Sequence, residues 1–129
     1  MRLILVRHAE AAAGDPDELR ALTPAGHETA RALGEHLRDA RPAAVISSPL
    51  LRARETAEPI ARAAGVDSET DDRLGPGATV DDVRAVVDGR GDIVVVVGHQ
   101  PDCGEVVYAL TGREVPFAPG GTCEVELGD

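Results

Sequence analysis

The chain has 129 residues, a length that suits one domain around one core. It is 43% hydrophobic but has one Tyr, one Phe and no Trp, so Ala, Val and Leu must fill the interior. The formal net charge is -10 and all 13 basic residues are Arg, a balance that argues against nucleic acid and anionic membrane as partners.

The first apolar run, Leu3-Ile4-Leu5-Val6, reads as a strand buried on both faces. A buried strand cannot carry Arg7 and His8 further into the sheet without stranding a charge, so both must emerge at its carboxyl end. In parallel α/β sheets that end opens into a ligand crevice. Residues 9 to 22 are small and polar, turn at Gly14-Asp15-Pro16-Asp17, and read as a loop over the mouth of that crevice. Thr23-Pro24 starts a helix as N-cap and first helical residue, with Ala30, Leu33, Leu37 and Ala40 on one face. Gly26 and Gly34 weaken this helix by roughly 1 kcal/mol each relative to Ala.

Ala43 to Ser47 is the second strand, followed by Ser48-Pro49 as another cap and first-turn pair. The next helix carries Leu50, Ala53, Ala57, Ile60 and Ala64 on one side, with a kink or early end expected at Pro59. Val66 to Glu69 is a poor third strand, and Asp71 to Gly77 a loop. Thr79 caps a short helix with Val80, Val83 and Val87 inward, stopped by Gly89 at the C′ position. Ile93 to Val97 is the strongest strand and runs into Gly98-His99-Gln100-Pro101. Pro101 opens a helix with Val106, Val107 and Leu110 apolar, ended by Gly112. The alternation from Thr122 to Leu127 predicts a half-exposed strand at or near a sheet edge. The pattern predicts a three-layer α/β fold, an open, mostly parallel sheet with helices on both faces, spanning residues 1–129 as one domain.

Three strand-to-helix junctions, Arg7-His8, Ser48 to Arg52, and Gly98-His99, lie along one edge of such a sheet. Their convergence would bring together two guanidiniums and two imidazoles, a set suited to a dianionic phosphoryl group. His8 can act as a nucleophile when neutral and held at its other ring nitrogen, and His99 can donate to a phosphoryl oxygen. His27, His36 and Arg54 read as solvated surface residues. Cys103 and Cys123 are isolated and read as two reduced thiols. No run approaches membrane-spanning length, and Met1-Arg2 with four apolar residues is too short for a signal h-region. A soluble cytoplasmic monomer is expected.

These residues resemble a known family. Val6-Arg7-His8-Ala9-Glu10 is similar to the Arg-His-Gly signature of the histidine phosphatase (phosphoglycerate mutase-like) superfamily, and Leu22-Thr23-Pro24-Ala25-Gly26 to its Leu-Thr-x-x-Gly segment. Ser47 to Ala57 resembles its second-Arg motif, and Gly98-His99 its second-His motif. The short chain and the form Gly98-His99-Gln100-Pro101 resemble the compact SixA-type phosphohistidine phosphatases. That resemblance implies phosphorylation of His8, with Arg7, Arg52 and His99 lining the phosphate pocket, and no metal or cofactor.

Two departures stand out. Ala9 replaces the usual Gly, and Leu74 to Thr79 carries no carboxylate where larger members place a general acid. Asp71, Asp72, Asp81 and Asp82 flank that stretch, and Glu10 follows the first motif. An alkoxide leaving group needs a proton, help worth roughly 10²–10⁴ in rate. A phosphoramidate nitrogen on an imidazole can be protonated beforehand, because imidazole itself has a pKa of about 6.5. The leading expectation is therefore dephosphorylation of protein phosphohistidine. A small-molecule phosphomonoesterase using one of those carboxylates is the alternative, and a non-catalytic phosphate-binding module a more distant one.

Overall fold

The computed structural model describes residues 1–128. Five strands, β1 (Arg2–Arg7), β2 (Ala44–Ser47), β3 (Ser68–Thr70), β4 (Ile93–Gly98) and β5 (Thr122–Glu126), form one sheet in the order β3-β2-β4-β1-β5. β1 and β4, β2 and β4, and β2 and β3 pair in parallel, while β5 runs antiparallel to β1 at the edge. Four helices connect them: α1 (Pro24–Arg38), α2 (Leu51–Ala64), α3 (Val80–Val87) and α4 (Asp102–Thr111).

The central strands read as unbroken apolar runs because both of their faces are covered. Leu3, Leu5, Val94 and Val96 point into a cluster with Val83, Val86 and Val87 of α3 and Val106 and Val107 of α4. The alternate residues Ile4, Val6, Val95 and Val97 meet Leu37 of α1 and Ala53, Ala57 and Ile60 of α2. Successive side chains along a strand take opposite faces, so one run feeds two cores. Each fully buried Val, Leu or Ile contributes about 1.5–3 kcal/mol relative to an exposed one. The expected three-layer, mostly parallel architecture with an edge C-terminal strand is the one observed.

Several local expectations need correction. Helix α2 begins at Leu51, with Leu50 at its N-cap and no side-chain cap. Ser48 does not cap it, because its hydroxyl accepts from Leu50 N (3.2 Å) and is shared with His99. Pro59 does not end α2, which continues to Ala64. Burial of Ala53, Ala57, Ile60 and Ala61 outweighs the cost of the proline, about 3 kcal/mol. Val66 is not strand but part of the helix stop, its N–H donating to Ala61 O (3.0 Å), so β3 starts two residues later. Pro101 sits at the N-cap of α4 rather than inside its first turn.

Gly26 and Gly34 also have a tertiary role that helix propensity does not show. A Cβ on Gly26 would lie 2.1 Å from Glu10 O, and one on Gly34 would lie 2.6 Å from Pro59 O. The two glycines let α1 approach the loop after β1 on one side and α2 on the other. The cap predicted at Thr23 is present, its hydroxyl accepting from Gly26 N at 3.0 Å. Thr79 and Asp82 form a complete capping box on α3.

Candidate active site

Register brings the expected site residues together. β1 and β4 pair Arg7 with Gly98, so His8 and His99, each one residue further on, leave adjacent strands side by side. Their ring centroids are 5.2 Å apart, edge to face. β2 pairs Ser47 with Val97, which sets Ser48 and the start of α2 beside the same strand end.

His8 is held at one nitrogen. Its Nδ1 lies 2.8 Å from Ala9 O, and a carbonyl can only accept, so Nδ1 carries the proton and Nε2 keeps its lone pair. Desolvation lowers the His8 pKa below the usual imidazole value; the Ala9 hydrogen bond partly opposes this, and Arg52, Arg7 and Arg20 reinforce it. The ring is therefore neutral at neutral pH. The backbone behind it is fixed too: Ala9 N donates to Thr56 Oγ1 (3.0 Å), which donates to Arg52 O (2.8 Å).

His99 is 4% exposed, and its Nε2 lies 2.8 Å from Ser48 Oγ. Burial, assisted by His8 and Arg52, pulls its pKa down to about 4. It therefore also enters as a neutral ring. Because Ser48 engages Nε2, Nδ1 is left for another partner.

The two guanidiniums are anchored differently. Arg7 Nη1 donates to Phe117 O at 2.8 Å, while its buried Nε has no hydrogen-bond partner among the described residues. An unmatched buried donor costs about 1–3 kcal/mol, and an anion beside it would remove that cost. Arg52, 7% exposed on the first turn of α2, donates from Nη1 to Asp17 O (2.9 Å) and from Nη2 to Asp17 Oδ2 (3.2 Å). Asp17 belongs to a short 3-10 turn, Asp17–Leu19, at the tip of the loop expected to cover the crevice. That loop is closed at its base by an Ala11–Leu22 bridge and by Thr23 N donating to Glu10 O (3.0 Å).

The structure thus brings Arg7, His8, Arg52 and His99 to one place and leaves His27, His36 and Arg54 exposed, as expected. Ser48, Thr56, Asp17 and the Phe117 carbonyl complete the site; the sequence marked Ser48 only as a helix cap at one of the three junctions and gave the others no role. Only Ser48 and Thr56 carried a signal, lying within the second-Arg motif. Of the flanking carboxylates, Asp71 is tied to Arg73 through both oxygens (3.0 and 2.8 Å) and Asp82 to Thr79; each is held below the usual carboxylate range, Asp71 chiefly by Arg73 and Asp82 by the Thr79 backbone. Glu10 is exposed and accepts from Thr23 Oγ1 at 2.8 Å. Asp102, buried at the start of α4, accepts from Gly77 N at 2.8 Å and ties down the carboxylate-free loop.

Comparison with known proteins agrees with this arrangement. Residues 3–75, which include Arg7, His8 and Arg52, match the model of the histidine phosphatase superfamily (branch 1). No curated protein gives a significant sequence match. Among solved structures, the protein histidine phosphatase SixA complexed with tungstate is 28% identical, with a TM-score of 0.86 over 98% of this chain and 88% of that one. A Nakamurella multipartitia protein assigned to SixA is 34% identical, with a TM-score of 0.69 over 84% of this chain and 64% of that one. A mycobacterial glucosyl-3-phosphoglycerate phosphatase with VO3 is 18% identical, with a TM-score of 0.75 over 97% and 90% of the chains, and shares the fold. The chain belongs to the histidine phosphatase superfamily, branch 1, in its SixA-type arm.

Proposed function

We propose that this phosphatase works through a phosphohistidine on His8 and that its substrate is a phosphohistidine side chain of a protein. The observation that carries the reading is the His8 ring itself, with Nδ1–H donated to Ala9 O and an Nε2 lone pair uncommitted among the described residues, next to His99 and within the field of Arg52 and Arg7. Nε2 attacks phosphorus as the bond to the leaving nitrogen breaks. The substrate imidazole, already protonated at its phosphorylated ring, departs neutral with the electron pair. The new phosphoimidazolium on His8 keeps its Nδ1–H on the Ala9 carbonyl, and water then displaces His8 as a neutral ring. Arg7, Arg52 and His99 take the phosphoryl oxygens as charge shifts onto them. The Arg pair supplies the positive charge that a metal would bring, so no metal or cofactor is required.

Asp71 and Asp82 are ionised and engaged, and the loop from Leu74 to Thr79 has no carboxylate, which favours a leaving group that needs no enzyme acid. The likeness to the SixA phosphohistidine phosphatases supports the same substrate class. The test is a plot of log kcat/KM, which reports the phosphoryl-transfer step to His8, against leaving-group pKa for a phosphohistidine peptide, aryl phosphates and glycerol phosphates, with and without chelator. A steep, chelator-insensitive plot is expected. A flat plot would mean that a carboxylate such as Glu10 protonates the leaving oxygen, and the small-molecule phosphomonoesterase reading would replace this one.

A further inference from the structure

A groove of about 600 Å³ runs along the outer face of α4, with apolar walls from Pro101, Tyr108, Val115 and Pro116 and acids at Glu105 and Glu114. Both walls continue along the chain into residues of the candidate active site. Gln100, at one end, directly follows His99, and Pro116 directly precedes Phe117, whose carbonyl holds Arg7 at 2.8 Å. Tyr108 is the chain's only tyrosine and is 56% exposed. Among the described residues the other large exposed hydrophobic is Leu19, on the turn that sets Asp17 against Arg52. Aromatic rings with a polar tip anchor interfaces at little entropic cost.

Charge decides what the groove suits. Among the described residues neither Glu105 nor Glu114 makes an ion pair. With a net charge of -10, the protein's field repels a free small phosphate dianion and attracts a basic chain segment. A substrate that joins a phosphoryl group to basic flanks satisfies both the Arg-lined pocket and the acidic surface around it.

We propose that this groove docks the polypeptide segment flanking the phosphorylated side chain, and that it selects segments with an apolar residue next to Arg or Lys. The proposal rests on the protein-phosphohistidine reading above and adds the determinant of which proteins are accepted. The groove binds the flanking chain while the phosphoryl group enters between Arg7 and Arg52. Selection appears in KM rather than kcat, because the contacts lie away from the reacting atoms.

The experiment compares free phosphohistidine with two phosphohistidine peptides, one flanked by Leu and Arg, the other by Ser and Glu. The Leu/Arg peptide is expected to have a KM at least tenfold lower than the other two substrates, at similar kcat, with the advantage shrinking as salt rises. Tyr108→Ala, and Glu105→Gln with Glu114→Gln, should each raise KM for that peptide about five- to tenfold. Both variants should leave free phosphohistidine turnover unchanged, which also shows that they fold. Equal KM for the two peptides, or an equal effect of the variants on free phosphohistidine, would overturn the groove alone. Absence of phosphohistidine turnover by the unsubstituted protein would overturn the substrate reading, and the groove proposal with it.

Discussion

Asp17 holds Arg52 at both terminal nitrogens, through its backbone carbonyl at 2.9 Å and its Oδ2 at 3.2 Å. Its other carboxylate oxygen takes Arg20 Nη1 at 3.1 Å. Asp17 thus presents to Arg52 two acceptor oxygens, one from its backbone carbonyl and one from its carboxylate, where a phosphoryl group would present two of its own. Hydrogen bonds from Arg20 and Arg52 hold its carboxyl below the usual range, so it is ionised wherever the enzyme would work.

Competition follows from that geometry. Asp17→Ala should tighten binding of phosphate or tungstate about two- to fivefold, as expected for loss of one exposed competing charge. Titration calorimetry on the two proteins reads the difference. Weaker oxyanion binding in Asp17→Ala would show instead that Asp17 serves to orient the Arg52 fork.

The two lowered imidazoles fix the direction of the pH dependence. In the proposed mechanism His8 must be neutral to attack, and its pKa lies below 6.5, so the acid limb of kcat/KM, corrected for substrate ionisation, should fall below pH 6.5. Stability responds in the same direction. Between pH 6.5 and about 4 the unfolded chain binds a proton that folded His99 refuses, so stability is full above 6.5 and falls as pH drops through that window. Urea midpoints at pH 7 and pH 5 should show the decline, and His99→Asn should reduce it. An acid limb above pH 6.5, or a slope unchanged in His99→Asn, would contradict this assignment.

Replacing either close-packed glycine of α1 tests packing against propensity. Ala is favoured over Gly in a helix by about 1 kcal/mol, yet the new Cβ would meet Glu10 O at 2.1 Å or Pro59 O at 2.6 Å. Gly26→Ala and Gly34→Ala should therefore each destabilise, by about 1–3 kcal/mol, in thermal or urea unfolding. Gly26→Ala should also lower activity, since it pushes on the residue two beyond His8. A rise in stability in either variant would show that the neighbouring backbone yields freely.

These glycines mark where sequence reading stops. The strands were legible because continuous apolar runs such as Ile93 to Val97 leave no other way to satisfy two covered faces. The convergence of Arg7, His8, Arg52 and His99 was legible because parallel strands end along one edge, and the register of β1 on β4 makes the two histidines neighbours. Gly26 and Gly34 looked like helix defects because propensity is local, while the contact that requires them is tertiary. Ser48 looked like a cap because Ser-Pro before an apolar face usually is one, but its hydroxyl is committed to Leu50 and His99. Asp17 gave no signal, because a turn of small polar residues has no periodicity that says where its tip will fold.

The central claim is that Nε2 of His8 carries the phosphoryl group during turnover. The most direct measurement is rapid quenching of the enzyme with a labelled substrate under basic conditions, followed by peptide mapping by mass spectrometry. One phosphoryl group on His8 is expected, stable in base and lost in acid, and absent in His8→Ala, which should not turn over. Label on Ser47, Ser48 or a cysteine, or turnover that survives in His8→Ala, would contradict the account.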